Sequence, residues 1–507
     1  MAGECILAID QGTTNTKALL FDKTGHPIFG TTCAVALLQP RPGYVEQDPL
    51  ELWESVCEVM RACAAYAKQK GVRIAGIAIS NQRETAVAWR RTGGTGSATG
   101  LPVYNAISWQ CRRSEPICNQ LRDAAPRLRE LTGLPIDPLL SATKWAWLLE
   151  ELPSLRSEAQ RGEVLLGTID SWLLYNLTCG ATHAVDLTNA SRVALLNLQN
   201  LDWDNELLNL FDIPRAALPT VRPSSGVFGT CKALPELDGV PIVCMMGDSH
   251  ASLVGHGCYE PGAVKATFGT GSSLMMLTPN LVPSTGSLAR TIAWALPNQV
   301  QFALEGNIAM SGAAIQWVGE FLGLPHPAEG AAALAETVSD SAGLVLVPAM
   351  LGLGAPHWDS AARGLISNLE RSHTAAHLAR ASLDAIAMQV ADVLQEMEVV
   401  AGGDLPVLLA DGGATRNRTL MQIQADVLNR TVRRSTQEEL SARGVALLGG
   451  LALGWWSSME AIAALPTACD SFTPLMGESR RRTLRDEWGV AVARARLRHA
   501  ATDGSEM

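Results

Sequence analysis

The chain reads as an α/β protein of two domains, and three observations carry that reading. Strand-like and helix-like stretches alternate from end to end, the pattern of sheets covered by helices. A strand, glycine turn and strand near the start recur in the second half, at Asp10-Gln11-Gly12-Thr13-Thr14 and again at Phe268-Gly269-Thr270-Gly271. A length of 507 residues also exceeds what one hydrophobic core organises.

The first element is an apolar strand at 5–10, followed by a Gly-Thr-Thr turn and a second strand at 17–22. The tip offers backbone N–H groups, the hydroxyls of Thr13 and Thr14, the carboxylate of Asp10 and the cation of Lys17. Such a set can hold a phosphate and a water-bridged Mg²⁺, although an ordinary hairpin with a polar turn gives the same pattern. After a Pro-rich loop at 39–43 comes a helix over Pro49–Lys70, then a strand at 74–80 that empties into Asn81-Gln82-Arg83-Glu84. Ligands of open α/β sheets gather at such strand ends. The Gly/Ser/Thr-rich stretch 92–100 reads as a flexible turn.

A strand at 240–246 leads into Gly247-Asp248-Ser249-His250, and the domain boundary is expected near 247–252, giving units 1–250 and 251–507. The phosphate-loop plan restarts at Lys265-Ala266-Thr267-Phe268-Gly269-Thr270-Gly271-Ser272-Ser273. A long helix is expected over 375–400, then a buried strand ending Asp411-Gly412-Gly413-Ala414, and a helix over 419–428. The two glycines admit a ligand close to the backbone, and the helix start favours an anion. No G-x-x-x-x-G-K-[ST] and no strand-borne G-x-G-x-x-G occurs, so the P-loop and dinucleotide-binding alternatives lack their fingerprints.

Taken together, the three loops resemble the two phosphate loops and the adenosine loop of the actin-like (ribonuclease H-like) ATPase fold, with a nucleotide cleft between the domains. The sequence between them narrows the resemblance. Asn81-Gln82-Arg83-Glu84-Thr85, Tyr104-Asn105-Ala106-Ile107-Ser108-Trp109-Gln110-Cys111-Arg112-Arg113, Gly167-Thr168-Ile169-Asp170-Ser171-Trp172 and Asp186-Leu187-Thr188-Asn189-Ala190-Ser191-Arg192 look like glycerol kinase. So do Leu304-Glu305-Gly306, Gly312-Ala313-Ala314-Ile315-Gln316-Trp317 and Gly352-Leu353-Gly354-Ala355-Pro356-His357-Trp358-Asp359. From about residue 6 to 456 the chain is similar to the FGGY carbohydrate kinases, nearest their glycerol kinase branch. The last fifty residues carry no matching motif.

The resemblance implies an ATP- and Mg²⁺-dependent kinase acting on a terminal hydroxyl of a polyol, with the substrate mainly on the first domain and the nucleotide mainly on the second. Asp248 aligns with the catalytic aspartate, where a carboxylate can take the proton of a primary alcohol held in line with the γ-phosphate. A helix N-cap is the alternative for it. Asp10 is the Mg²⁺ candidate, with Asp248 beside it. Thr13, Thr14, Gly269 and Thr270 match phosphate positions, Gly412, Gly413 and Ala414 adenosine positions, and Gln316 and Asn417 positions flanking the base. The family usually has an arginine where Lys17 stands, and lysine keeps the charge without the bidentate fork. Arg83, Glu84, Trp109 and Asp248 match the glycerol-binding set: a donor, an acceptor, an apolar wall and the base. Core packing is the alternative for Trp109.

Three pocket positions depart from the family. Leu139 stands where a tyrosine is expected, Ser249 for a glutamine and Ser273 for a phenylalanine. All three lose volume and two gain hydroxyls, so a polyol longer than glycerol is expected, with the serines paired only to water when a short triol is bound. A ketopentose kinase such as xylulose kinase is the second reading, but that group carries Met-His-Gly where this chain has Gln82-Arg83-Glu84. A sugar sensor without catalysis would require loss of Asp248, Asp10 or a phosphate loop. A structural actin-like or chaperone ATPase leaves Arg83, Glu84 and Trp109 unexplained. The fructose 1,6-bisphosphate inhibition known in some glycerol kinases uses an arginine-bearing loop, and 231–240 holds Lys232, Glu236 and Asp238 but no arginine.

Composition sets the remaining bounds. With 47% hydrophobic and 18% charged residues and a net charge of −10, the chain suits an ordinary globular enzyme and argues against a nucleic-acid partner. Eleven cysteines without a C-x-x-C pair read as reduced, mostly buried thiols of a cytoplasmic protein rather than zinc ligands. The apolar runs at 343–356 and 446–456 are too short to span a bilayer and read as close-packed core. Arg480-Arg481-Arg482 reads as a solvated helix face. A homodimer or homotetramer is the expected assembly.

Overall fold

A computed structural model describes residues 3–91, 98–284 and 286–497, so the turn expected at 92–100 falls mostly outside the described residues. Two large sheets organise the chain. The first runs in the order Ser225–Thr230, Pro241–Gly247, Arg73–Asn81, Glu4–Gln11, Asn15–Phe21, Pro27–Ala34. The second runs Ala289–Leu296, Gln299–Ile308, Ser272–Thr278, Val264–Phe268, Val407–Asp411, Thr431–Ser435, Cys469–Phe472. Counted from the opening strand of each sheet, the plan is shared. A hairpin partner and then a third strand join antiparallel on one side, and two later strands join parallel on the other.

Parallel neighbours need crossover connections, and helices supply them: Pro49–Lys70 in the first domain, Ala375–Ala401 and Arg418–Leu428 in the second. The first of these shows why the boundaries fall where they do. Asp48 accepts the Leu50 N–H, Pro49 fills the first turn where an N–H is dispensable, and Gly71 ends the helix in the left-handed region. Its stripe of Leu52, Trp53, Val56, Met60 and Cys63 packs on Leu7, Ile9, Ile77 and Ile79 of the sheet.

The sheets meet through two helices, Asp248–His256 and Leu440–Ala452, which share one core cluster with Ile6, Ala78 and Met246 of the first sheet and Met275, Leu277 and Ala303 of the second. They cross on glycines. A Cβ on Gly255 would sit 2.0 Å from the Leu440 carbonyl oxygen, and one on Gly444 would sit 1.8 Å from that of Ala251. Only a residue without a side chain permits that approach. The expected division between 250 and 251 falls inside the first of these helices.

The segment at 446–456 is fully buried through Gly450, beyond which Leu451, Leu453, Trp455 and Trp456 pack half-buried on the same core, and 343–356 leaves the core at Leu351, which is 72% exposed on a loop. The motif-free C-terminal segment is structured over its described residues, up to 497. Cys469–Phe472 extends the second sheet, and the helix Glu478–Ala495 seats Trp488, Ala491 and Val492 in that domain's core. Among the described residues every cysteine is free and eight of eleven are buried. No helix among them is long and apolar enough to cross a membrane.

Candidate active site

Both sheets and both junction helices contribute to one cleft of about 630 Å³. Asp10 and Lys17 reach it from the first hairpin, Thr267, Asp411, Gly412 and Gly413 from the second domain, and Asp248, Ser249, Glu439 and Ser441 from the junction. Asp10 faces Lys17 across the hairpin register and accepts a hydrogen bond from Ser80 Oγ at 2.8 Å. Burial pushes its carboxyl up to about 6, and the neighbouring negative charges of Asp248 and Glu439 push the same way.

Each hairpin tip is closed by a backbone bond, Gly12 N–H to Asn15 O and Gly269 N–H to Gly271 O, both 2.9 Å. Thr13 Oγ1 accepts from Trp109 Nε1 at 3.0 Å, which ties the expected substrate wall to the first tip. Thr14 is exposed beside it. The Gly269 and Thr270 carbonyls accept the N–H groups of Gly312 and Ala313, anchoring the helix Gly312–Phe321. Gln316 sits one turn along that helix and donates to Glu320 at 2.7 Å. Gly412 has φ +96, and a Cβ there would lie 2.5 Å from the Phe268 carbonyl oxygen, so the Asp-Gly-Gly turn needs glycine in order to pass the second phosphate loop. Ala414 follows in a short 3-10 turn, and Asn417 caps the helix Arg418–Leu428 by accepting the Leu420 N–H.

Asp248 is the first residue of its helix and not the cap, which is Gly247. Its carboxylate accepts the Ser249 N–H at 2.6 Å and lies 3.5 Å from Arg83 Nε. Burial raises this carboxyl, against the pull of Arg83.

Behind Arg83 lies a run of alternating charges. Arg83 Nη1 donates to Glu305 Oε1 at 2.8 Å, and Arg192 Nε donates to Glu84 Oε1 at 2.6 Å. Arg192 Nη1 is also 2.8 Å from Glu305 Oε2, but out of hydrogen-bond alignment, so that contact is an ion pair alone. Burial would raise the Glu305 carboxyl, yet the guanidiniums of Arg192 and Arg83 hold it far below the usual range. Ser273 Oγ donates to the same Glu305 Oε1 at 2.9 Å. The serine expected to find only water therefore already has a protein partner. Glu84 has φ +60, and its carbonyl accepts from Ser141 Oγ and from the buried Lys144, which also bonds the Leu139 carbonyl. Leu139 and Glu84 are thus held by one cation.

Ser249 is held from below. Its carbonyl accepts from Lys265 Nζ at 3.2 Å, and that fully buried lysine also donates to Ser252 Oγ and Thr267 Oγ1, each at 2.6 Å. Of the expected residues, the cleft brings together Asp10, Lys17, Asp248, Ser249, Gly412 and Gly413, while Arg83, Glu84 and Trp109 continue from Asp248 into the first domain and Ser273 meets Arg83 at Glu305 from the second sheet. Sequence reasoning gave no role to Glu305, Arg192, Lys265 or Glu439. A charged residue inside an apolar strand, as in Phe302-Ala303-Leu304-Glu305 and Val264-Lys265-Ala266, was the available signal.

Among the described residues no three His, Cys, Asp or Glu side chains form a metal cage by themselves. Mg²⁺ asks for less, because it keeps waters and takes one or two carboxylates plus phosphate oxygens. Asp10 and Asp248, two carboxylates raised by burial in one cleft, fit that demand.

Comparison with known proteins adds the following. The model of the N-terminal domain of the FGGY family of carbohydrate kinases matches residues 5–255, and that of its C-terminal domain residues 264–453. The chain is 44% identical over 494 residues to glycerol kinase 2 of Thermotoga maritima, covering 97% of this chain and 98% of that one. It superposes on the glycerol kinase of Plasmodium falciparum solved with ADP at a TM-score of 0.91, with 30% identity over 98% of this chain and 99% of the other. A ligand-bound xylulose kinase from Lactobacillus acidophilus shares the fold alone, at a TM-score of 0.84 and 22% identity over 96% and 97% of the two chains.

Proposed function

Because the chain belongs to the FGGY family of carbohydrate kinases, we propose that it transfers the γ-phosphoryl group of ATP to a terminal hydroxyl of a polyol, with Asp248 as general base. The coarse activity, ATP-dependent phosphorylation of the glycerol kinase type, rests on full-length similarity to glycerol kinases, one of them solved with ADP. The observation that carries the finer reading is the position of Asp248. It heads the junction helix, lines the cleft with Asp10 and Lys17, and stands 3.5 Å from Arg83.

Phosphoryl transfer asks mainly for positioning and charge neutralisation. Arg83 and Glu84 orient neighbouring hydroxyls, and Trp109 walls the carbon chain. Asp248 accepts the proton of the attacking alcohol as its oxygen bonds to phosphorus and the bond to the ADP oxygen breaks. The N–H groups and hydroxyls of the two hairpin tips receive the phosphates, Lys17 adds positive charge, and Gly412 and Gly413 leave room for the nucleoside. Mg²⁺ held by Asp10 and Asp248 would neutralise phosphate charge. Residues 1–250 then act mainly on the substrate and 251–507 on the nucleotide, and approach of the two excludes water.

With Leu139, Ser249 and Ser273 in place of larger side chains, the substrate is a polyol somewhat longer than glycerol. A coupled ADP-release assay over glycerol, erythritol, pentitols and ketopentoses tests this. The highest kcat/KM is expected on a four- or five-carbon polyol. Should glycerol exceed every longer substrate, the pocket argument fails and the enzyme is a plain glycerol kinase.

A further inference from the structure

The hydroxyl of Ser273 has a direction, and the direction selects among substrates. Its oxygen lies 2.9 Å from Glu305 Oε1. That carboxylate is fully buried between two guanidiniums, 2.8 Å from Arg83 on one side and 2.8 Å from Arg192 on the other. An ionised carboxylate only accepts hydrogen bonds. The single hydrogen of Ser273 is therefore committed to Glu305, and what the serine has left is acceptor lone pairs. Ser273 is itself only partly buried, whereas Glu305 behind it has no exposure. The side chain thus stands between the buried charges and open space.

Resting on the polyol kinase reading above, we infer that the Ser273–Glu305 pair forms a subsite accepting only hydrogen-bond donors, so that the far end of the substrate is a hydroxyl and not a carbonyl or carboxylate. The class selected is an alditol, as against an aldonate or a sugar that presents its carbonyl there. A carbonyl or carboxylate oxygen against the Ser273 oxygen would set lone pair against lone pair, because the serine's one hydrogen is already given to Glu305. A phenylalanine at this position would make no such selection, since it offers neither donor nor acceptor. Glu305 acts here as a positioning residue. It fixes the hydrogen of Ser273 and, with the same oxygen, the guanidinium of Arg83.

The test uses the full chain with MgATP and three matched substrates: a tetritol, its terminal deoxy analogue, and its terminal deoxyfluoro analogue. Fluorine keeps weak acceptor character and cannot donate. Both analogues should lose about three- to tenfold in kcat/KM, and lose it equally, the range expected for one neutral hydrogen bond. In Ser273→Ala that penalty should shrink toward one, and Ser273→Thr, which keeps a hydroxyl and suits a strand, should restore it. Retention of the tetritol rate by the fluoro analogue while the deoxy analogue falls would show that the serine donates, and would overturn the inference. So would a penalty that Ser273→Ala leaves unchanged. Turnover of glycerol with rejection of every tetritol sinks the inference but leaves the kinase reading standing. If no polyol drives ADP release, the kinase reading fails and the inference falls with it.

Discussion

Lys17 Nζ meets Glu439 Oε1 at 2.7 Å, a contact between residues 422 apart in sequence that joins the first hairpin to the head of the helix Leu440–Ala452. Both side chains line the cleft beside Asp10. An incoming phosphate must draw Lys17 away from this carboxylate and must also enter the field of Glu439 itself. Removing the charge should ease both. For Glu439→Gln the KM for MgATP is expected to fall two- to fivefold with kcat little changed, since a partly exposed pair is worth about 0.2–1 kcal/mol. The gain should fade at high ionic strength. A rise in KM would mean that the pair serves to draw the domains together instead.

The acid limb of the pH profile follows from the same cleft. Asp10 titrates at about 6 because it is buried and because Asp248 and Glu439 add negative charge. A carboxylate must be ionised to hold a cation, and Asp248, also raised, must be ionised to take a proton. Activity should therefore drop as pH falls through about 6, with the limb moving lower in Glu439→Gln and at saturating Mg²⁺. For stability the sign is opposite. Folded Asp10 keeps its proton up to about 6, whereas the ordinary value is 3.8, so between those values the unfolded chain ionises first and stability falls as pH rises. Kinetic profiles of wild type and Glu439→Gln from pH 5 to 8 measure the first effect, and urea unfolding across pH the second.

Replacing Asp248 by asparagine keeps the shape and removes the base. Turnover should fall by roughly 10²–10⁴-fold or more, with nucleotide binding nearly intact because the phosphate loops and the Gly412-Gly413 turn are untouched. Single-turnover chemistry and calorimetric ADP binding separate the two. Wild-type kcat in Asp248→Asn would remove the assignment of base.

Much of this site was legible because its parts are local. Asp10, Lys17, Gly269 and Gly412 sit on short strand-turn units whose chemistry shows in a few consecutive residues, and Asp248 follows a strand end. Glu305 was not legible in that way. It stands inside the strand Gln299–Ile308 and acquires its role only when Arg83 and Arg192, from the other domain, arrive on either side. Lys265 likewise sits inside a strand, and its partners Ser249 and Ser252 belong to a different element. Register within an element shows in a sequence, whereas apposition between two domains does not.

The junction of the two helices should be intolerant of one methyl group. Gly444→Ala would put a Cβ 1.8 Å from the Ala251 carbonyl oxygen, on the helix that carries Asp248. Backbone cannot yield as a flexible side chain can, so the helices must part, at a cost of about 1–3 kcal/mol or more. Gly489→Ala is the control, because that helical glycine has open space around it, and alanine there should stabilise by about 0.5–1 kcal/mol. Thermal unfolding of the two variants should move in opposite directions. Equal tolerance would show that the crossing relaxes freely.

Fructose 1,6-bisphosphate should leave the enzyme uninhibited through the 231–240 loop. The structure makes this segment a short 3-10 turn at Pro235–Leu237, with Lys232, Glu236 and Asp238 all exposed and Leu234 and Leu237 buried beneath. Two carboxylates against one ammonium give the loop a net charge of the wrong sign for a bis-phosphate. The lysine, a strongly hydrated point charge, also lacks the planar fork that grips phosphate in a bidentate way. Removing the carboxylates should not create the site, so Glu236→Gln with Asp238→Asn is expected to remain insensitive, while arginines introduced at both positions supply the missing charge and geometry. Initial rates at saturating MgATP with and without millimolar bisphosphate decide it. Inhibition of wild type that survives in the arginine variant unchanged would place the bisphosphate elsewhere on the molecule.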